Sequence, residues 1–467
     1  LQRSALEGSA RRASLVRAAF GVLLLAFSAV AISLPDGGLI FGYGSLLALM
    51  LAFACLAPLV TRGTVALLLA LTGRIIGVVG RMALRGISAQ LSRTGLAIAA
   101  LAVAISMSIG VSTMIGSFRG TLVHWLEETL PADVYVSAPG AVARHGARIP
   151  LPPLVDTACA EHPDTLRVIA NRFVELQGPD GDVRVSVLTP ATPAELGIPL
   201  TDPRFETGPD LDRWLDGTPP GLLASEPFAR RHKFEMGDTL PLRTRAGTIE
   251  FTILGIFRDY SSDLGYVAMT RTTFEHFQSA PGSTSVAIYL RDGADPAAVA
   301  DELRTQLGDL PGLRVRPTRS LRDATLEVFD RTFQVTEVIR WIAVIVAAVG
   351  VFGALVTLEL ERVREIGVLR AFGLTRMEWS GVVLIQTAGI GAVAGLIALP
   401  LGVASAALLA VVVNERSFGW TIDLTVTAGP LWRGFAISVG AALAAGVIPA
   451  LRMSRIPISE ALREVES

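Results

Sequence analysis

The sequence contains very little cysteine and lysine. Its two cysteines lie in different kinds of segment, Cys55 in an apolar run and Cys159 in a polar one, so they cannot pair with each other and a disulfide framework is excluded. Lys233 is the single lysine among 467 residues, and the phosphate-binding pattern G-x-x-x-x-G-K-[ST] does not occur. Because that loop and its lysine hold the nucleotide phosphates, the chain itself cannot be the ATPase of an ATP-driven system.

Motifs of metal-dependent and covalent catalysis are absent as well. Neither H-E-x-x-H nor G-x-S-x-G occurs, and Cys159 and His162 form an isolated C-x-x-H pair, whereas structural zinc normally takes four ligands. Basic residues lie beside apolar runs rather than in patches interleaved with aromatic residues, which argues against nucleic-acid binding. We therefore expect no catalytic residue, no metal, no cofactor and no nucleic-acid partner.

Long apolar runs make up much of what is present. Hydrophobic residues account for 51% of the sequence, and about 20 helical residues cross a hydrocarbon core of roughly 30 Å. Five runs reach that length, at residues 15–34, 39–60, 95–117, 338–360 and 434–451. A sixth run, 382–413, is longer and contains Pro400, which indicates one tilted or kinked helix. The sequence therefore predicts six membrane spans.

Two of the apolar runs can be interpreted in more than one way, as membrane spans or as another kind of segment. The weaker run 65–79 is interrupted by Arg74 and by glycines, and we interpret it as an interfacial amphipathic helix, with a seventh span as the alternative. The first run has a basic flank, as a signal peptide would. Its apolar stretch is too long for one, and a second span follows at once.

Formal charge is divided unevenly along the chain. Residues 118–337 hold 31 of the 42 acidic residues and 22 of the 41 basic ones, which gives this segment −9 and the remainder +8. If the spans alternate, one side carries the arginines at residues 3, 11, 12 and 17, at 62, 74, 81, 85 and 93, at 362, 364, 370 and 376, and at 452, 455 and 463. The opposite short loops hold little charge beyond Asp36 and Arg416. Because cytoplasmic loops carry the excess of basic residues, we predict a multi-pass protein of the plasma (inner) membrane with both termini cytoplasmic and 118–337 outside.

The polar segment 118–337 has the pattern of a mixed α+β domain. Turn residues bound most of its strand-like runs, which are 133–137, 166–176, 182–188, 248–257, 265–270, 284–290 and 313–316. Helical spacing is found at 193–196, 272–278 and 296–307. Proline-rich joints predict two subdomains with a division within 190–225. We also expect residues 118–130 and 320–337 to extend the adjoining spans as continuous helices.

The segment 361–378, ERVREIGVLRAFGLTRME, connects two spans on the predicted cytoplasmic side. Its apolar residues recur at helical spacing, whereas its charged residues face elsewhere; the apolar stripe is Ile366, Leu369, Phe372 and Gly373. A solvated loop carrying the usual positive charges is the simpler interpretation. A short helix with one apolar face is better suited to docking into the groove of a partner protein.

This segment resembles the coupling segment of the FtsX-like (MacB/LolC-type) permeases of ABC transporters. The resemblance is specific in the run 364–373, REIGVLRAFG, and in the closing P-A-L-R-M-S-R-I and E-A-L-R of 449–456 and 460–463. Glu378-Trp379, the loop sequence 417–420 (SFGW), residues 125–136 and 257–260 (FRDY) are also similar to this family. The similarity covers about residues 81–467.

The resemblance implies a partner and a mechanism. The partner would be a cytoplasmic ABC ATPase dimer, and ATP-driven motion would reach the outer domain and there extrude or hand over lipoproteins, peptides or other amphiphiles. The residues implied in coupling to the ATPase are Arg364, Glu365, Ile366, Leu369, Arg370, Phe372 and Gly373. The alternative is a non-transporting signal relay that regulates an extracytoplasmic partner such as a cell-wall hydrolase. In both cases the chain would be a non-catalytic subunit.

The larger permeases of this family carry two similar halves joined by two linker spans. Ser4-Ala5-Leu6-Glu7 weakly repeats the closing E-A-L-R, and two spans lead the chain, so we expect the linker spans plus a second half, with another permease half or subunit as partner.

The predicted architecture is an α-helical transmembrane bundle of about six spans, with the α+β extracytoplasmic domain inserted between the third and fourth. The divisions are 1–62 (two linker helices), 63–94 (cytoplasmic or interfacial amphipathic helix), 95–117 (span), 118–337 (extracytoplasmic domain), 338–360 (span), 361–378 (cytoplasmic coupling helix) and 379–467 (two spans and a cytoplasmic tail).

Overall fold

The structure is a computed structural model. It describes residues 2–34, 38–72, 80–81, 84–87, 91–138, 150–279, 282–308, 310, 312–361 and 375–455. The chain forms two compact units. We call them the membrane unit (described residues within 1–118, 333–416 and 423–467) and the outer unit (Arg119–Thr332 with Ser417–Ile422).

Helices account for most of the membrane unit and for part of the outer unit. In chain order they are α1 (Gln2–Ser33), α2 (Gly38–Thr72), α3 (Leu91–Thr129), α4 (Pro153–Glu161), α5 (Pro209–Asp216), α6 (Glu226–His232), α7 (Arg271–Glu275), α8 (Pro296–Leu307), α9 (Thr318–Glu361), α10 (Arg376–Ala407), α11 (Asn414–Phe418) and α12 (Ala428–Arg455). A 3₁₀ turn, Pro203–Thr207, precedes α5.

Six helical stretches are long and apolar enough to cross a membrane, which confirms the predicted number among the described residues. They are Val16–Ser33, Gly38–Ala70, Gly95–Thr129, Thr318–Thr357, Met377–Phe418 and Ala428–Ile448. The predicted continuity of 118–130 and 320–337 with the adjoining spans is also confirmed, because α3 and α9 are unbroken over 39 and 44 residues.

The second apolar helix is longer than the sequence indicates. Helix α2 continues through Pro58 to Thr72, so the first part of the run 65–79 belongs to the same helix as the second predicted span. Residues 73–79 lie outside the described part of the chain. The separate interfacial helix therefore stays a prediction.

The fifth apolar stretch contains the expected irregularity, although it comes after the proline. Helix α10 includes Pro400 and passes into a π-helical turn, Leu408–Val413, before α11. A π-helical turn contains one residue more than an α-helical turn, so the side chains after it are rotated about the helix axis. This places Arg416 against the end of α1, where its guanidinium donates to the carbonyl oxygens of Ile32 at 3.1 Å and Leu34 at 2.8 Å. The arginine thus satisfies carbonyls that have no partner within the helix.

Small residues bring α10 and α12 close together. A Cβ placed on Gly391 would lie 2.8 Å from the carbonyl oxygen of Ser438, and the Ser438 hydroxyl donates to the Gly391 carbonyl at 2.8 Å. A Cβ on Gly395 would lie 2.8 Å from the Phe435 ring. Glycine is therefore required for the approach of these two helices, as in other membrane helix pairs.

The outer unit is built on one nine-stranded mixed sheet. Its strands are β1 (Val134–Ser137), β2 (Thr165–Gly178), β3 (Gly181–Leu188), β4 (Gly221–Ser225), β5 (Thr239–Thr244), β6 (Gly247–Phe257), β7 (Val267–Thr270), β8 (Ser285–Leu290) and β9 (Arg314–Pro317). The order is β3-β7-β4-β6-β5-β2-β8-β1-β9, with β2 also pairing with β3. That additional pairing closes the first six strands into a ring.

Strand β2 belongs to both parts of this sheet. Its first half, from Thr165 to Asn171, pairs with β8, and its second half, from Asn171 to Gly178, pairs with β3. At 14 residues it is long enough to serve two sheets in succession. The outer unit therefore has a ring of six strands and a four-stranded antiparallel sheet that share one strand.

Each part of the sheet has its own hydrophobic core. The ring core is formed by buried residues of the six-stranded ring and of helices α5, α6 and α7, and it includes Trp214, Phe251 and Phe257. The sheet core lies between β1, β8, β9 and helices α4 and α8, and includes Ile288 and Leu303. The change from one core to the other falls along β2 and between β7 and β8. The segment 190–225, where the sequence indicated a division, belongs to the ring core.

Most of the predicted strands coincide with observed ones, and the differences have local causes. Strands β4 and β5 are absent from the sequence-based prediction because β4 directly follows a proline pair and β5 contains Pro241. A proline is tolerated in β5 because this strand pairs fully with β6 and touches β2 at one position. The predicted helix 193–196 is a turn, whereas α8 has its predicted bounds, 296–307.

Candidate coupling site

The residues implied in ATPase coupling lie outside the described part of the chain. They are Arg364, Glu365, Ile366, Leu369, Arg370, Phe372 and Gly373. Their arrangement stays a prediction. The structure instead brings together three other segments that the sequence analysis connected with the same family, namely 125–136, 257–260 and 417–420.

These segments meet in the outer unit, in a group of side chains that we call the junction cluster. It consists of Trp125, Glu226, Arg230, Arg258, Tyr260, Trp420 and Thr421. Residues Ser417–Ile422, which connect the fifth apolar stretch to the sixth, are part of the outer unit. We call this segment the connecting loop.

Strand β6 positions the FRDY sequence at the centre of the cluster. The strand ends at Phe257, whose ring is fixed in the ring core, and Arg258 follows with its N–H donating to the Pro199 carbonyl at 2.9 Å. The Arg258 carbonyl in turn accepts a hydrogen bond of 3.1 Å from the indole Nε1 of Trp125, near the end of α3. The end of α3 is thereby attached to the loop that leaves β6.

Tyr260 links that attachment to the connecting loop. Its ring packs edge-to-face on Trp125, with centroids 5.5 Å apart, and on Trp420, at 6.0 Å. Its hydroxyl donates to the Thr421 carbonyl at 2.5 Å. Edge-to-face aromatic pairs contribute about 0.5–1.5 kcal/mol beyond their buried area. Tyr260 therefore uses both its ring and its hydroxyl to hold the connecting loop.

Helix α6 supplies the charged part of the cluster. Glu226 in its first turn is 7% exposed and accepts hydrogen bonds from both the backbone N–H and the hydroxyl of Thr421. Arg230, one turn later, donates to the Gly419 carbonyl at 3.0 Å and to the Thr421 hydroxyl at 2.9 Å. The two charges also form an ion pair of 3.0 Å. A buried carboxylate is stable in such a position because its charge is paired and hydrogen-bonded.

The backbone of the connecting loop requires a glycine at its closest approach to α6. Gly419 has φ of +72°, and a Cβ at this position would lie 3.1 Å from the Cα of Pro227. Both the left-handed conformation and the close contact disfavour any side chain. The glycine in the sequence 417–420 is thus explained by the docking of the loop.

Asp259 lies between the two anchoring residues of the FRDY sequence and is 2% exposed. One carboxyl oxygen accepts the Ser261 N–H at 3.1 Å, and the other has no hydrogen-bond partner among the described residues. Burial raises the pKa of this carboxyl to about 6, although hydrogen bonds from Ser261 and the charge of Arg184 act in the opposite direction. A perturbed carboxyl at this position marks the turn as a candidate functional element.

The two long helices are attached to each other and to β1 in the outer unit. Arg119 of α3 forms an ion pair of 3.0 Å with Asp330 of α9. Arg322 of α9 donates to the Leu130 carbonyl at 3.0 Å, and the Thr318 hydroxyl donates to the Asp133 carbonyl at 3.1 Å. The start of α9 is therefore fixed to the segment that joins α3 to β1.

The C-x-x-H pair has a structural role in the sheet core. Cys159 is buried, and burial raises the pKa of its thiol to about 12, so it is not a thiolate at neutral pH. His162 Nε2 lies 3.2 Å from Glu302. Within the described residues, no group of three or more His, Cys, Asp or Glu is placed to hold a metal ion.

Comparisons with known proteins match most of the chain. Residues 338–458 match the family described as FtsX-like permease C-terminal, and residues 94–306 match the MacB-like periplasmic core domain. The second of these segments contains β1–β8 and most of the junction cluster, and the first contains the connecting loop.

Two curated relatives extend the similarity. The chain is 34% identical over 466 residues to the uncharacterized ABC transporter permease protein Rv0987 of Mycobacterium tuberculosis, covering 95% of this chain and 51% of that protein. It is 22% identical to the macrolide export ATP-binding/permease protein MacB of Hyphomonas neptunium, covering 80% of this chain and 59% of that protein. The chain thus spans about half the length of the curated relatives that it matches.

Among solved structures, the periplasmic region of MacB from Actinobacillus actinomycetemcomitans aligns with 44% of this chain and 97% of its own length, at 12% identity and a TM-score of 0.31. The family assignment depends on the sequence matches, which run through the third apolar stretch, the outer unit and the last three apolar stretches. On these matches, the chain belongs to the FtsX-like permease family of ABC transporters, with a MacB-like periplasmic core domain between its third and fourth apolar stretches.

Proposed function

We propose that the chain is the non-catalytic membrane subunit of an ABC transporter complex. It would transmit ATP-driven motion from a cytoplasmic ATPase dimer, bound at 361–378, to the outer unit. The arginine-rich loops and both termini would lie in the cytoplasm, and the outer unit outside the plasma membrane. A second permease half or subunit would complete the assembly, since the chain spans about half of its curated relatives.

The observation that carries this proposal is the attachment of the connecting loop within the outer unit. Residues 417–422 belong to the same covalent segment as the fifth and sixth apolar stretches, and they are held by Glu226, Arg230 and Tyr260. A movement of those stretches along their axes would act on α6 and on the turn after β6. The unbroken helices α3 and α9 provide two further covalent routes. A stiff helix transmits displacement because its hydrogen bonds are internal.

The transported class would be amphiphilic. Two relatives of this chain are described as a macrolide export and a probable syringafactin export ATP-binding/permease protein. For this chain we propose export or extraction of lipoproteins, peptides or other amphiphiles. Regulation of an extracytoplasmic hydrolase without transport is the outcome to be distinguished from it.

The ATPase side of the proposal is tested by substitution in the predicted coupling segment. Leu369→Asp and Phe372→Asp each place a charge on the apolar stripe, so both should abolish co-purification of the ATPase with the full chain. Ala371→Asp is the matched control, because it also places a charge in the same segment but on the helix face opposite the stripe. If the stripe variants retain the ATPase as well as the control does, coupling through this segment is refuted.

The outer side is tested in the reconstituted complex. Arg230→Gln combined with Thr421→Val removes the guanidinium contacts to the connecting loop and the hydroxyl contact to Glu226, and it leaves the hydrogen bond from the Thr421 N–H to Glu226. ATPase binding should be unchanged, whereas the stimulation of ATP hydrolysis by candidate amphiphiles should fall several-fold. If a purified hydrolase partner stimulated ATP hydrolysis and no amphiphile did, the result would favour the non-transporting signal relay over export.

A further inference from the structure

A cavity of about 410 Å³ lies beside the ring of strands in the outer unit, on the side of α6 that faces β3 and the β2–β3 hairpin. Its wall includes Asp182, Arg184, Phe228, Arg231, His232 and Leu264. Small-molecule sites usually have volumes of roughly 300–1,000 Å³. The cavity is therefore large enough for a small ligand, and the chemistry of its wall decides which one.

Most of the charged groups around the cavity have partners. The ring nitrogen Nδ1 of His232 lies 3.2 Å from a carboxyl oxygen of Asp180. Glu175 is directly opposite Arg184 in the β2–β3 pairing, and the Arg184 guanidinium also stacks over the Phe173 ring at 4.4 Å. These pairs leave the cavity with little net charge.

Asp182 and Arg231 differ from the other charged groups of the wall. Both are exposed, and neither side chain has a hydrogen bond or ion pair with any residue that the structure describes. Asp182 is on β3 and Arg231 is on α6, so they approach the cavity from two separate elements. The wall thus presents one carboxylate and one guanidinium that are available to a ligand.

Apolar side chains complete the wall. Phe228 and Val183 are buried, Leu264 is exposed, and all three line the cavity. An ordinary solvent-exposed charged surface has no need of apolar side chains beside Asp182 and Arg231. Ligand sites commonly combine apolar walls with a few polar groups that fix the orientation of the ligand.

We propose that this cavity binds a small zwitterion, a molecule with one ammonium group and one phosphate or carboxylate group on a short chain. Asp182 binds the ammonium group, Arg231 binds the anionic group, and Phe228 and Leu264 pack against the chain between them. The ligand is either a free zwitterion or the headgroup of an amphiphile with the same charges. This site lies beyond the proposed transmission function and does not depend on it.

The position of the site on α6 has a consequence for the junction cluster. Phe228, Arg231 and His232 line the cavity, whereas Glu226 and Arg230 of the same helix hold the connecting loop. The helix has only seven residues, so a ligand that orders one of its faces restrains the other.

Binding is tested by calorimetry on the purified full chain. The probes are glycerophosphoethanolamine as the free zwitterion, dihexanoyl-phosphatidylethanolamine as the amphiphile, and ethanolamine and the phosphodiester glycerophosphoglycerol as the single-charge comparisons. At least one of the two zwitterions should bind about tenfold more tightly than either single-charge probe, the change expected when one charge-assisted hydrogen bond is lost. Binding of the amphiphile alone identifies a lipid headgroup as the source.

Substitutions locate the site. Asp182→Asn and Arg231→Gln should each weaken zwitterion binding about tenfold. The controls Asp292→Asn and Arg245→Gln, which are exposed in the same unit and do not line the cavity, should leave binding unchanged. Hydrogen exchange of the unliganded variants checks that the fold is retained, and in the wild type the bound zwitterion should slow exchange in α6 and the β2–β3 hairpin.

Three results would overturn the proposal. The first is no binding of either zwitterion to the wild type. The second is equal binding of a single-charge probe. The third is unchanged binding in Arg231→Gln and Asp182→Asn. None of these results depends on an ATPase, so they are separable from failure of the proposed function.

Discussion

The ring core and the sheet core of the outer unit share strand β2 but are attached to the rest of the chain in different ways. The sheet core adjoins the covalent entry of α3 into β1 and the exit from β9 into α9. The ring core carries the FRDY turn and α6, and therefore every contact with the connecting loop described above. One core is thus positioned by continuous helices and the other by a noncovalent cluster, which can be released without breaking a helix.

The largest expected loss of stability comes from truncating one buried side chain in the ring core and, separately, one in the sheet core. Phe257→Ala should destabilise the ring core by about 3–5 kcal/mol, and Leu303→Ala should destabilise the sheet core by about 2–5 kcal/mol, because each leaves a buried cavity. Hydrogen exchange of the full chain should show Phe257→Ala accelerating exchange in residues 417–422, and Leu303→Ala leaving them protected. Equal acceleration by both would mean that the two cores unfold as one.

Asp259→Asn should give the next largest effect, with a distinctive dependence on pH. The pKa of the Asp259 carboxyl is raised from 3.8 to about 6 in the folded protein, so the folded state binds the proton more tightly than the unfolded state. The protonated Asp259 carboxyl therefore stabilises the folded state fully below pH 3.8, and this stabilisation is lost as pH rises to about 6. A shift of about two pKa units corresponds to roughly 3 kcal/mol as an upper bound.

The measurement for Asp259 is local stability by hydrogen exchange at pH 5 and pH 7.5. The wild type should lose protection around residues 257–266 at the higher pH, and Asp259→Asn should not. Asp292→Asn, an exposed carboxyl in the same unit, is the control. If the variant keeps the pH dependence of the wild type, another group is responsible for it.

Tyr260→Phe should have a smaller effect that is restricted to the ring side. It removes the hydrogen bond to the Thr421 carbonyl and keeps the aromatic contacts, so the connecting loop should open about fivefold more often, equivalent to roughly 1 kcal/mol. Tyr289→Phe is the matched control, because it removes a similar hydrogen bond of 2.8 Å to the Glu195 carbonyl from a β8 residue. If Tyr260→Phe and Tyr289→Phe accelerated hydrogen exchange of the connecting loop equally, the loop would not be held by the ring core alone.

Arg119→Gln should have the smallest effect. The ion pair with Asp330 joins side chains that are 46% and 51% exposed, and such surface pairs contribute about 0–1 kcal/mol. A double-mutant cycle with Asp330→Asn, measured by thermal unfolding in low and high salt, should give a coupling energy within that range and a smaller one at high salt. A larger coupling would mean that the helices depend on this pair more than on their continuity.

Sequence patterns predicted the elements more fully than their arrangement. Strands with alternating residues, such as β3 and β8, were found within one residue of their bounds because a half-buried strand needs that alternation. The division of the outer unit was not found, because β2 reads as one strand and nothing local indicates that its halves belong to two sheets. The FRDY and SFGW sequences were noticed only through family similarity, and their contact with each other was not expected.

By itself the sequence determined the six apolar stretches, the polar domain between the third and fourth, and the unbroken character of α3 and α9. Those properties are local, since a span requires about 20 apolar residues and a helix satisfies its own backbone hydrogen bonds. The tertiary structure alone decided the closure of the ring through β2 and β3, and the docking of the connecting loop. Thr421 meets Arg230 across 191 positions of sequence and Glu226 across 195. Burial and charge pairing at such a distance depend on the fold that brings the residues together.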